Sequence, residues 1–162
     1  ANRQAAVAEA AGRPDWQGQE AAAFAHRLQE RGFKVLEVAA DGHCLFGAIG
    51  CQLPQVQDHW RMRGVAADWM LRHSDSFAPF LELEKCSFEE YCQTVRSSGQ
   101  WGGQMELEAL AQALPARIIV IQAAGEDLLF GPEDAEILIY LSYHRHAFSL
   151  GEHYNALIKK AE

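Results

Sequence analysis

The chain has 162 residues, 49% of them hydrophobic and 22% charged, with a formal net charge of −8. That describes one ordinary globular domain, long enough to bury about 70% of its unfolded surface without a disulfide or metal. The negative balance speaks against nucleic acid and anionic membranes as partners and admits a basic one, and no apolar run approaches the roughly 20 residues of a membrane span.

The four cysteines, Cys44, Cys51, Cys86 and Cys92, have no framework-like spacing, and no secretory signal is visible. A reducing, cytoplasmic setting is expected, with the nucleus also open. Residues 1–15 are alanine-rich and broken by Gly12, Arg13 and Pro14, which reads as a helical or frayed lead-in. Gln17 to Arg31 carries a helical pattern in Ala21, Phe24, Ala25 and Leu28, which Gly32 can close. Residues 1–32 thus form an N-terminal helical segment on or before a main domain of residues 33–162.

Phe33, Val35 and Val38 alternate with Lys34 and Glu37, as in a short strand. A polar loop follows, Asp41-Gly42-His43, and an apolar helical pattern starts at Cys44 with Leu45, Phe46, Ile49 and Leu53; Pro54 stops it. A cysteine at a helix start meets unpaired backbone N–H groups and the helix dipole, which favour the reactive thiolate. Gly42 can turn the backbone so that N–H groups face a developing oxyanion. A small buried hydrophobe at a helix start fits this stretch equally well.

Met62, Val65, Ala66, Trp69 and Met70 mark one face of the next helix, and Trp60 reads as core with them. Phe77 to Leu83 is a packed connection. Ser87 and Glu90 form a capping box for a helix to about Arg96. After the turn-rich Ser97–Gly103, Leu107, Leu110, Ala111 and Leu114 define a helix that Pro115 ends. The period then changes. Ile118–Ile121 and Ile137–Leu141 are continuous apolar runs, expected of strands buried on both faces. Leu128–Phe130 suits a short edge strand, Tyr143–Gly151 a loop, and His153–Ile158 a last strand. Helices first and strands later imply an α+β fold, a helical lobe on a mixed sheet.

A cysteine nucleophile needs a base, and the base needs a group that fixes its tautomer. His153 stands where a loop enters a strand, and Asn155 lies two residues on, on the same strand face. An amide oxygen there can accept the imidazole N–H and aim the other nitrogen at Cys44, the Cys-His-Asn logic of papain-like hydrolases. His144, His146 and His153 come without a Cys-x-x-Cys pair, and Cys86 and Cys92 lack zinc spacing, so no metal site is expected. Cys51, two helical turns after Cys44, reads as core.

The segments DGHCLF, WGGQMELEAL and GEHYNAL, in that order, resemble the OTU (ovarian tumour) cysteine peptidases, which are deubiquitinating enzymes; His43 and the RHAFSLGEHYNAL block resemble the OTUD branch. The resemblance covers about Phe33 to Ile158. It implies a papain-like OTU fold, a central mixed sheet flanked by helices, and thiol-dependent cleavage of the isopeptide bond after ubiquitin's last glycine, with no cofactor. By position, Cys44 is the nucleophile, His153 the general base, Asn155 the orienting residue and Asp41 a part of the active site, shaping the oxyanion hole with Gly42, His43 and Cys44. The family's variable loop falls near Gln93–Gly103 and its histidine loop near Tyr143–His153.

Trp101, Gly102 and Gly103 read either as a tight turn with a core tryptophan or as a wall of the groove for the ubiquitin tail, and family position favours the groove. Glu106, Glu108 and Glu152 suit an arginine-rich tail, while each alone reads as part of a solvated face. Gly47 departs from the family, where a longer, often basic residue is expected. The expected partner is ubiquitin or polyubiquitin, met by a monomer. A weakly active OTU-like ubiquitin-binding module and a papain-like hydrolase of another ubiquitin-like modifier are the alternatives.

Overall fold

The computed structural model describes residues 16–81, 86–148 and 151–160. Among these residues six α-helices, α1 (Trp16–Arg31), α2 (Cys44–Gly50), α3 (His59–Arg72), α4 (Ser74–Phe77), α5 (Phe88–Ser97) and α6 (Gln104–Ala113), accompany five strands, β1 (Phe33–Leu36), β2 (Ala116–Gln122), β3 (Leu128–Phe130), β4 (Ile137–Phe148) and β5 (Gly151–Lys159). The strands form one mixed sheet in the order β1-β5-β4-β2-β3. β2 and β4 run parallel and every other pair is antiparallel, which gives the expected α+β architecture. The readings of residues 1–15 and of residues 82–83 lie outside the described residues.

Local chemistry explains most of the element boundaries. Gly32 adopts φ 74° and closes α1 in the left-handed region, where a side chain would be strained. The Asp58 carboxylate accepts from the Arg61 N–H to start α3, and Ser87 accepts from the Glu90 N–H to start α5. Asp58 and Ser87 are residue types whose short side chains suit that role.

The sheet separates two apolar layers. Ile118, Val120, Ile139, Leu141, Tyr154 and Ala156 face α2, α3, α5 and α6 in the main core. Ile121 and Leu157 face the other way, against Phe24 and Leu28 of α1 and Phe33. The alternation follows from the period of two along a strand. His153 and Asn155 share the face of Leu157, so α1 covers the side of the sheet that carries them. Arg27 ties α1 to the carbonyls of Gln122 and Gly125 at 2.8 Å each.

Four expectations change. Tyr143–Phe148 is strand and not loop: β4 continues to Phe148, paired through His144↔His153 and, past an irregularity, Phe148↔Gly151, and the reading of residues 149–150 lies outside the described residues. The polar His144-Arg145-His146 run is held as strand by that pairing and by α1. The variable-loop region is helical as far as Ser97, leaving only Ser98–Gly103 irregular. The run Ile137–Leu141 is not buried throughout, since Leu138 is 47% exposed. Trp60, read as core, is half exposed because it lies at the rim of α3, against His43 and His59.

Candidate active site

β1 pairs with β5 only as far as Leu36↔Ala156. Beyond that point the chain leaves the sheet, and the segment leading to α2 lies along the uncovered end of β5. Cys44 opens α2 there, almost fully buried. α2 packs against β5, and the backbone amides of Tyr154 in β5 and of Leu45 in the same helix act on the Cys44 thiol. The cysteine expected to be the nucleophile therefore lies at the strand that carries the histidine expected to be the base, next to the backbone of Tyr154, the residue after His153.

His153 is buried, and its Nε2 lies 2.7 Å from Oδ1 of Asn155. That same oxygen accepts from the Val38 N–H at 2.9 Å. A backbone N–H can only donate, so the amide of Asn155 cannot be flipped. With an acceptor fixed opposite Nε2, that nitrogen carries a proton, and buried Nδ1 is left as the basic nitrogen. Beside it His144 faces Ser142 Oγ through Nε2 at 2.7 Å and packs on Phe24 of α1. Burial lowers the His144 pKa to about 4. It is neutral at pH 7 and brings no like charge to His153, whose ring centre is 6.1 Å away.

The thiol is not spontaneously acidic. Burial pushes the Cys44 pKa up, and the Asp41 carboxylate adds to this; the amides of Tyr154 and Leu45 oppose the rise without reversing it. The sequence suggested the reverse, because it shows the helix start and not the surrounding core. Ionisation at neutral pH must come from a base that takes the proton as the sulfur reacts.

In the loop before the thiol, Asp41 Oδ1 accepts from the His43 N–H at 2.9 Å, and the Cys44 N–H reaches the Asp41 carbonyl at a long 3.3 Å. Asp41 thus shapes the loop, and the Cys44 N–H is the donor most easily released to a new acceptor. Gly42 is required by contact: a Cβ there would sit 1.7 Å from the Gly99 carbonyl oxygen. Trp101 is 40% exposed, which suits a wall more than a core residue. Gly102 lies against the rings and methyls below it, since its Cβ would meet Phe46 at 3.0 Å and Leu45 at 3.3 Å. Gly103 has open space where a Cβ would stand and gives its N–H to Glu106 Oε1 at 2.9 Å. Glu106 is not on a solvated face. It is buried and also accepts from the Tyr91 hydroxyl at 2.8 Å, so it caps α6 from the third helical position and does not face a substrate.

Sequence reasoning missed Arg63. It is fully buried and donates to His43 Nδ1 and to three backbone carbonyls around the cysteine loop. A signal existed: Arg63 falls on the same helical stripe as Ala66, Ala67 and Met70, a charged residue where the period calls for an apolar one. Among the described residues no group of His, Cys, Asp and Glu is arranged to hold a metal ion, and no helix is long and apolar enough to cross a membrane.

The model of the OTU-like cysteine proteases matches residues 39–154. Deubiquitinase OTUD6B of Xenopus tropicalis is 36% identical over 148 residues, covering 85% of this chain and 50% of the relative. Ubiquitin thioesterase otu2 of Schizosaccharomyces pombe is 32% identical over 154 residues, covering 89% of this chain and 51% of its own length. The chain therefore spans about half the length of these curated relatives. Among solved structures, the OTUD1 OTU domain superposes with a TM-score of 0.74 at 24% identity, covering 89% of this chain and 97% of that one. An OTU domain in complex with ubiquitin gives 0.63 at 22% identity, covering 77% and 69%.

Proposed function

Since the chain belongs to the family of OTU-like cysteine proteases, we propose that it is a deubiquitinase that hydrolyses the bond after the C-terminal glycine of ubiquitin. The observation that carries this reading is a helix opened by Cys44 and packed on β5, the strand whose His153 has its tautomer fixed by Asn155. Relatives named deubiquitinase and ubiquitin thioesterase support the substrate. The domain acts as a monomer on ubiquitin or polyubiquitin, and its four free cysteines fit a reducing, intracellular setting.

The chemistry follows from the site. His153 Nδ1 takes the thiol proton as the sulfur attacks the carbonyl carbon of the terminal glycine. The oxyanion is met by backbone N–H groups of the Gly42–Cys44 loop, with the Cys44 N–H exchanging its long bond to Asp41 for the new charge. The C–N bond then breaks, the imidazolium gives its proton to the departing lysine amine, and a thioester remains. His153 next deprotonates a water, which attacks the thioester; the C–S bond breaks, the imidazolium returns its proton to the sulfur, and ubiquitin leaves as a carboxylic acid that gives its proton to solvent. Asn155 keeps the proton on Nε2 and the ring in place throughout.

A ubiquitin probe ending in an electrophile tests this. It is expected to label Cys44 and none of the other three cysteines, and to label nothing in Cys44→Ala. Labelling that survives in Cys44→Ala removes the assignment. A panel of di-ubiquitins and probes of other ubiquitin-like modifiers reads the substrate directly, and preference for another modifier overturns ubiquitin as the substrate.

A further inference from the structure

Arg63 is a buried cation without a carboxylate in salt-bridge range among the described residues. Burying a guanidinium is costly unless its N–H groups are met. Here they are met by four groups from three parts of the chain. Nε donates to His43 Nδ1 at 3.0 Å, Nη1 to the Val95 carbonyl of α5 at 2.9 Å, and Nη2 to the carbonyls of both Gly42 and Gln100 at 2.8 Å. Its Cζ also lies 4.4 Å from the ring centre of Phe46, two residues past the thiol.

The Gly42 carbonyl and the His43 N–H are the two ends of one planar peptide unit. Arg63 holds the first and the Asp41 carboxylate holds the second, so this peptide, the one before Cys44's own, cannot rotate. The bond into His43 Nδ1 also makes that nitrogen an acceptor, so the ring carries its proton on Nε2, stacked on His59 at 3.9 Å. Through Nη2 the same guanidinium joins the cysteine loop to the Ser98–Gly103 segment, where Gly42 and Gly99 touch backbone to backbone.

We infer that Arg63 is a positioning residue for the reaction, a clamp that sets the Gly42–His43 peptide and so aims the Cys44 sulfur and N–H. This rests on the thiol-hydrolase reading above. It acts through the loop and touches no reacting atom. Lysine cannot replace it, because one ammonium has three donors and no planar fork.

The test uses the folded chain with a fluorogenic ubiquitin C-terminal amide and, separately, nitrogen-15 spectra of the histidine rings. Arg63→Lys is expected to lower kcat by roughly 10- to 100-fold, the scale of a misaimed reacting group, with KM within about threefold. Arg63→Ala is expected to recover part of kcat with added guanidinium and none with ammonium, a selectivity that a merely structural role does not produce. The spectra are expected to show His43 with its proton on Nε2 in the wild type and a tautomer mixture in Arg63→Lys. Wild-type kcat in Arg63→Lys, or a His43 protonated on Nδ1 in the wild type, overturns the inference. If Arg63→Ala does not fold, Arg63→Lys and the wild-type spectra decide. If the wild type cleaves no ubiquitin substrate, the proposed function fails while the His43 spectra still judge the clamp.

Discussion

The backbone N–H of Val38 donates to Oδ1 of Asn155 over 2.9 Å, across 117 residues of sequence. The bond links the segment between β1 and the cysteine loop to the strand that carries the proposed base. It also settles an ambiguity, since it fixes which end of the amide faces His153 and hence which imidazole nitrogen holds the proton.

Asn155→Ala removes the acceptor from both donors at once. Turnover of a ubiquitin amide is expected to fall roughly 10- to 1000-fold, short of the ~10⁴-fold cost of deleting orienting residues in other triads, because His144 still packs near the ring. The orphaned Val38 N–H adds about 1–3 kcal/mol of destabilisation, read by urea unfolding. Asn155→Asp retains an acceptor and is expected to keep most of the stability. Unchanged kcat in Asn155→Ala removes this residue from the mechanism.

His144 makes the fold acid-sensitive in a defined window. Its folded pKa of about 4 lies below the ordinary 6.5 because burial under α1 disfavours the charged ring. Above pH 6.5 the ring is neutral in both states and its contribution is complete. Between 6.5 and 4 the unfolded chain binds a proton that the folded one refuses, so stability drops as pH falls. With a discount for solvent reaching the ring, the loss is on the order of 1–2 kcal/mol. His144→Gln, which can still bond to Ser142, is expected to flatten the fall in Tm from pH 7 to pH 5 relative to the wild type. An equally steep fall in the variant excludes His144 as its source.

The buried carboxylate of Glu106 gives a third expectation. It accepts from Gly103 and Tyr91 and supplies the largest favourable charge acting on Arg63. Gly103 has no side chain to return the bond, so only half of a capping box exists and Glu106 carries all of it. Glu106→Ala strands two buried donors and is expected to cost roughly 2–4 kcal/mol. Tyr91→Phe, which removes one bond, is expected to cost about 1 kcal/mol. Urea midpoints at constant m-value measure both, and a Glu106→Ala cost below that of Tyr91→Phe contradicts the assignment.

What the sequence discloses about this site follows from what periodicity can carry. The helix at Cys44 is legible because its apolar residues recur at helical spacing after a glycine loop. The His153–Asn155 pair is legible because a spacing of two puts both on one strand face. The tail of β4 is not legible, because His144, Arg145 and His146 have no apolar pattern. Only the pairing with β5 and the cover of α1 make them strand. Arg63 and Glu106 stay hidden for a related reason: each is a charge on a buried stripe, and apart from the local bond of Glu106 to Gly103 their partners lie 15 to 37 residues away. The raised Cys44 pKa depends on the packing around the thiol, which a helix-start motif does not encode.

Two glycines near the thiol have opposite expected fates. At Gly42 an added Cβ would lie 1.7 Å from the Gly99 carbonyl oxygen and 2.8 Å from its carbon. Both are backbone atoms, so Gly42→Ala must push the cysteine loop away from the Ser98–Gly103 segment and break the Arg63 bridge between them. Turnover is expected to fall at least ~100-fold, as for a reacting group displaced by about 1 Å. At Gly47 an added Cβ meets only Val38 Cγ1, at an ordinary 3.5 Å. Gly47 is inside α2 and its φ is not positive. Gly47→Ala therefore removes a helix-interior glycine without strain and is expected to stabilise the fold by about 0.5–1 kcal/mol. Thermal melts and kcat measured side by side check the pair. An active Gly42→Ala would mean that the close contact of the two loops is dispensable. A destabilised Gly47→Ala would mean that α2 packs more tightly on the chain before it than the Val38 distance implies.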